Sequence, residues 1–162
     1  LTDLLERIRS QAAHRMGMVD DPANATRETP ATPILGMIAS AQDYWNVLGN
    51  RWVRAEECDF VTRLMFMQQM HKTYAGTSTV CTGVASKLPG TIVYEMARQE
   101  CQERLATFFG HPGGVIETEA KVELDGNTWR AARATVARTA RRIMEGYVLV
   151  PSWAEHLEIA AE

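Results

Sequence analysis

HKTYAGTSTVCTGVASKLPGT, residues 71–91, decides how the rest of the chain is read. A cluster of small polar residues and a glycine stands directly ahead of an apolar run, which closes on Lys87-Leu88-Pro89-Gly90. Val80 and Val84 are four residues apart and Pro89-Gly90 stops the run, so residues 77–88 read as one helix. Its many small residues suit a helix enclosed tightly by other elements. A helix start carries N–H groups without partners and a partial positive charge. Gly76 lets the backbone come close to a ligand, and Thr77, Ser78 and Thr79 add hydroxyls, a combination that suits a carboxylate. The competing reading is an ordinary N-cap made by Thr77 or Ser78; spacing leaves both open, and caps are the commoner. His71-Lys72, just upstream, could attract and orient an acid, or could be a plain exposed pair at a strand end.

Working outward, residues 61–70 fit a strand buried on both faces or a helix, and periodicity does not choose. Residues 34–40 read as a strand and 44–48 as a second, turning at Gly49-Asn50; 51–60 stay unassigned. Near the start, Thr2 is placed to cap a helix that ends at Gly17, with Leu4, Leu5, Ile8, Ala12 and Met16 on one face. DDPANATRETPATP, 20–33, reads as a loop with little to bury, hence mobile. Downstream, 91–104 read as a strand turning into a charged connector or short helix, and 105–109 as a strand. Gly110-His111-Pro112-Gly113-Gly114 is a turn whose glycines could bring N–H groups to a ligand or simply join two strands. Val115–Leu124 alternate as a two-faced strand, and Asp125-Gly126-Asn127 signals a hairpin. ARATVARTARR, 132–142, has helix propensity. After that hairpin it reads better as part of a returning strand, 129–142, with its arginines in water. Residues 147–150 end before Pro151, and 152–162 read as a short amphipathic helix or a frayed tail. The sum is an α+β fold.

With 162 residues, the chain is long enough for one domain with a sizeable core. A formal net charge of −3 argues against a sequence-independent nucleic-acid binder. No apolar stretch approaches the roughly 20 residues of a membrane helix, and nothing resembles a leader peptide. Cys58, Cys81 and Cys101 are odd in number and lack CxxC spacing, which disfavours a disulfide framework or a structural zinc and fits a reducing cytoplasm. Cys81, one turn into the helix, either packs or gains acidity from the helix start. No metal-ligand cluster, phosphate loop or Ser-His-Asp order is visible, so neither metal nor cofactor is expected. The chain starts with Leu1, already in helical stride, which suggests a piece of a longer protein.

Four segments, LLERIRSQAAHRMGM, HKTYAGTSTVCTGVASKLPGT, GHPGGVIE and ARTARRIMEGYVLVP, together resemble the carboxy-terminal half of the 2-methylaconitate isomerase family. That family includes 4-oxalomesaconate tautomerases and methylitaconate delta-isomerases and is related to diaminopimelate epimerase. The resemblance implies a β-barrel-like antiparallel sheet wrapped round a central helix at about 77–88. Residues 1–151 would form the carboxy-terminal domain of a two-domain isomerase, and 152–162 a tail. It implies proton-transfer movement of a double bond in an unsaturated di- or tricarboxylic acid. This half would bind the substrate's carboxylates through Gly76, Thr77, Ser78, Thr79, His71, Lys72, His111, Gly113 and Gly114. The family's lysine and cysteine acid/base groups would lie in the absent amino-terminal half, leaving no main catalytic group here; that half and a second copy of the chain are the expected protein partners. The family pattern at the two turns is Thr-Gly-Ala and His-Pro-Ser-Gly, against Thr77-Ser78-Thr79 and His111-Pro112-Gly113-Gly114 in this chain. The changed turns admit a non-catalytic binding protein as an alternative. A two-thiol epimerase is disfavoured by Ala75, where those relatives carry a cysteine.

Overall fold

The computed structural model describes residues 1–151. Helix α1 (Thr2–Arg15) opens the chain, followed by a 3-10 turn (Pro22–Asn24) and a one-turn helix α2 (Ala25–Glu28). Next come strands β1 (Leu35–Ser40), β2 (Tyr44–Asn46), β3 (Arg51–Val53), β4 (Phe60–Phe66) and β5 (Gln69–Met70). Helices α3 (Gly76–Ala85), α4 (Ile92–Met96) and α5 (Gln99–Glu103) lead to β6 (Ala106–His111), β7 (Gly114–Asp125) and β8 (Thr128–Val136).

The main sheet has the order β1-β4-β6-β7-β8, with β5 paired to β4, and it curls as a half-barrel around α3. β2 and β3 form a separate hairpin, and the expected strand at 44–48 stops at Asn46. The sheet is not wholly antiparallel as expected. β4 and β6 run parallel, with Phe60 opposite Phe109 and Val61 opposite Gly110. A parallel pair needs a long crossover, and α3, α4 and α5 supply it. That also corrects the reading of 91–104: Thr91 caps α4 through its side chain, and no strand forms there.

Only part of 61–70 is a strand buried on both faces: β4 ends at Phe66, the chain turns at Met67-Gln68 with positive φ at both, and the exposed β5 folds back onto β4. Phe60 stacks on Phe109 at 5.3 Å, and Tyr74 meets Phe109 edge-on at 5.1 Å, forming the core with Leu64. α3 is built small because β7 lies against its backbone. A Cβ placed on Gly83 would stand 2.7 Å from Thr118 Cγ2, closer than any real side-chain carbon sits. Thr82 hydrogen-bonds Tyr74 at 2.9 Å, and Ser86 bonds both the Gly83 carbonyl and Thr107.

α1 departs from its expected pattern. Leu1 holds the N-cap position, not Thr2. Leu4, Ile8 and Met16 are exposed, while Leu5, Arg9, Ser10 and Ala13 face inward. Arg9 explains the rotation. Its guanidinium binds Glu6 through two nitrogens and donates to the Thr29 and Thr32 carbonyls. This ties down the 20–33 segment, whose Ala25 packs with Ala13 and Val19, so the expected mobile loop is a packed one. Gly17 ends α1 at φ +72°, as its sequence position suggests.

The Asp125–Thr128 hairpin forms, and Arg130 and Arg133 pair across it with Glu123 and Glu119. β8 ends at Val136, short of the expected 142, and 137–150 follow without regular structure. Ile143, Met144 and Tyr147–Val150 are exposed there. The helix or tail expected at 152–162 lies outside the described residues. Among the described residues, no helix is long and apolar enough to cross a membrane.

Candidate functional site

α3 begins one residue earlier than its hydroxyl cluster suggests. Ala75 holds the N-cap position in an extended conformation and offers no side-chain acceptor. The Thr79 amide reaches the Ala75 carbonyl at 2.9 Å, closing the first turn. The amides of Gly76, Thr77 and Ser78 are left without an acceptor among the described residues. The capping reading therefore fails: Thr77 and Ser78 lie inside the helix and bond none of its N–H groups. An alanine N-cap forgoes about 1 kcal/mol relative to serine, threonine or aspartate. Thr79 corrects the expectation in another way. It is buried and its hydroxyl donates to Ala75 O at 3.0 Å, so it offers nothing to a ligand.

Arg138 stands at the same helix end. A Cβ on Gly76 would lie 3.0 Å from its Nη1, so the glycine makes room for the guanidinium. Arg138 is exposed and has no ion-pair partner among the described residues. A cation beside the positive end of a helix is repelled by it. An anion between the two reverses the sign of both interactions.

The second turn abuts the first. A Cβ on Gly113 would meet Thr73 Cγ2 at 3.1 Å, His111 Cε1 at 3.0 Å and Leu48 Cδ1 at 3.3 Å. The expected turn over 110–114 is narrower, since Gly110 and His111 belong to β6 and Gly114 opens β7 at φ +132°. His111 is buried, and its Nδ1 accepts the Gly113 amide at 3.2 Å. His71 repeats the arrangement, its Nδ1 accepting the Thr73 amide at 3.1 Å. Tyr44 anchors this corner by donating its hydroxyl to the Gly114 carbonyl. Its ring occupies the space a Gly110 side chain would need, with Cε1 2.7 Å from that Cβ position. Arg63 lies over the Tyr44 ring at 4.9 Å. Burial, reinforced by the nearby Arg63 charge, pushes the His111 pKa down to about 4. Burial also drives the Tyr44 hydroxyl up to about 12, so it remains a donor at neutral pH.

A cavity of about 480 Å³ runs beside α3, lined by Thr77, Ser78, Cys81, Tyr74, Gly36 and Ile38 among others. Cys81 is exposed on it, whereas Cys58 and Cys101 are buried. A larger hollow of about 790 Å³ beside α1 shares no residue with these turns. Lys72 is exposed and forms no ion pair among the described residues. Among those residues, no group of three or more His, Cys, Asp or Glu side chains is placed to hold a metal.

The sequence reading thus selected two turns that the fold brings into contact, and missed Arg138, Arg63 and Tyr44. Arg138 was assigned to a water-facing strand, but β8 ends two residues before it. Gly110 was the available signal for Tyr44, because a glycine within a strand marks a close approach.

A family model described as PrpF protein matches residues 2–151. The 3-methylitaconate isomerase of Eubacterium barkeri is 42% identical over 146 residues, which are 90% of this chain and 37% of that protein. The 2-methyl-aconitate isomerase of Shewanella oneidensis is 34% identical over 148 residues, 90% of this chain and 36% of that protein. A solved structure titled as that of methylitaconate-delta-isomerase superposes with a TM-score of 0.79 at 39% identity, covering 91% of this chain and 37% of its own. The chain spans a little over a third of the length of these relatives.

Proposed function

The chain belongs to the PrpF family, and from that premise we propose that it is the carboxylate-binding part of an isomerase. The reaction is proton-transfer movement of a double bond in an unsaturated di- or tricarboxylic acid of the methylitaconate or methylaconitate type. The observation that carries this reading is the uncapped start of α3, whose first three amides and the adjacent Arg138 have no partner among the described residues. Such an arrangement holds a carboxylate and the charge that spreads onto it as a proton leaves carbon. Gly76, Thr77 and Ser78 supply N–H groups, Thr77 and Ser78 also hydroxyls, and Arg138 a bidentate fork. His71, His111, Gly113 and Gly114 line the adjoining turn, and Lys72 adds charge at its rim.

In this reading residues 1–151 are one half of a diaminopimelate epimerase-like architecture in a cytoplasmic enzyme. The groups that remove and return the proton lie in the amino-terminal half. That half also covers the exposed apolar faces of α1 and residues 143–150; a homodimer is compatible with the same arrangement.

The test is proton exchange in the full-length polypeptide carrying this sequence. In deuterated water, NMR should show deuterium entering methylitaconate or 2-methylaconitate as the double bond moves. Binding without exchange would instead make the chain part of a non-catalytic carboxylate-binding protein. Absence of both would refute the reading.

A further inference from the structure

The two histidine turns share one construction. In residues 71–73 and in residues 111–113, the amide two positions after the histidine donates to its Nδ1, at 3.1 and 3.2 Å. An Nδ1 that accepts a hydrogen bond carries no proton, so the ring's proton sits on Nε2. Thr73 and Gly113 bring the two turns together, with 3.1 Å between Thr73 Cγ2 and the Gly113 Cβ position. His111 is only 7% exposed. Its Nε2 has no partner among the described residues, yet no side-chain nitrogen or oxygen there is both fully buried and unpartnered. Nε2 is therefore not fully buried.

Three elements hold His111 in this state. Tyr44 of β2 fixes the strand junction through the Gly114 carbonyl, Arg63 of β4 lies over Tyr44, and His71 follows β5. No carboxylate hydrogen-bonds or pairs with His111 among the described residues. A buried ring and the nearby Arg63 guanidinium disfavour the imidazolium.

We propose that His111 is a neutral hydrogen-bond donor, presenting Nε2–H to an anionic oxygen of the bound acid, with His71 offering a second donor of the same kind beside it. The proposal rests on the carboxylate-binding reading above and assigns the chemistry of one contact within it. A neutral donor orients an anion without titrating near pH 7, so binding at this corner is independent of pH across the range where ordinary histidines lose their charge.

The test uses the full-length polypeptide, 15N-labelled at histidine, with cis-aconitate as the probe. Side-chain 15N spectra of the wild type should show His111 as the Nε2–H tautomer from pH 8 down to pH 5.5. Addition of cis-aconitate should move that Nε2–H resonance, and the dissociation constant should change less than about twofold between pH 6 and 8. His111→Gln, which keeps an N–H near the Nε2 position, should bind within about threefold of wild type, and His111→Leu at least about tenfold more weakly. An Nδ1–H tautomer, protonation of His111 above pH 6, or an Nε2–H resonance unmoved by bound cis-aconitate overturns the proposal while leaving carboxylate binding intact. No binding of cis-aconitate at any pH removes the reading and the proposal together.

Discussion

Replacing Lys87 with methionine is expected to destabilise the fold by roughly 2–4 kcal/mol, the loss of the buried donor shared by two carbonyls. Lys87 follows α3 and is 7% exposed. Its ammonium donates to the carbonyls of Cys101, of Arg104 at 2.7 Å and of Ala106 at 3.3 Å, and lies 3.5 Å from Cys101 Sγ. Burial pushes its pKa down, opposed by Cys101 and by the Asp59 charge. Methionine fills a similar volume but donates nothing, so the Cys101 and Arg104 carbonyls lose this donor at about 1–3 kcal/mol each, while the Ala106 carbonyl keeps Arg104 Nε. The loss would appear as a lower urea midpoint with an unchanged slope. Lys121→Met, at an exposed site on β7, should stay within about 0.5 kcal/mol. A Lys87→Met variant as stable as that control would show that the ammonium does not hold the α5–β6 junction to α3.

Arg138→Ala should have the largest effect on ligand affinity, weakening tricarboxylate binding by about 10- to 100-fold, the worth of a charge-assisted hydrogen bond. Stability should change by less than about 0.5 kcal/mol, because the side chain is exposed and forms no ion pair among the described residues. Arg138→Lys should recover only part of the affinity, since an ammonium lacks the planar fork. Calorimetric titration of the full-length polypeptide checks all three. Unchanged affinity in Arg138→Ala would mean that the guanidinium contacts Gly76 without serving the ligand.

Periodicity and turn chemistry exposed much of this fold. Pro89-Gly90 bounded α3, the alternation of 115–124 marked β7, and Asp125-Gly126-Asn127 placed the hairpin, because each is a local cause of its own geometry. The parallel β4–β6 pair was invisible, since strand direction depends on which elements cross between them. The inward face of α1 was misjudged because Arg9, a charged residue, is the one most deeply engaged, through partners at Thr29 and Thr32 that local spacing cannot reveal. The same divide runs through the site. Gly76 and the two histidine turns stood out locally, whereas Arg138, from the segment after β8, and Tyr44, from β2, reach it across tertiary contacts. The hydroxyls at 77–79 changed meaning once the N-cap fell on Ala75: Thr79 bonds its own helix, and only Thr77 and Ser78 remain for a ligand.

The central claim is that the start of α3 binds a carboxylate. Its most direct test is a backbone 1H–15N spectrum of the full-length polypeptide titrated with cis-aconitate. The largest shifts are expected at the Gly76, Thr77 and Ser78 amides, moving downfield as they gain an acceptor, with smaller ones at Gly113 and Gly114. Saturable binding that leaves those three amides unmoved would contradict it.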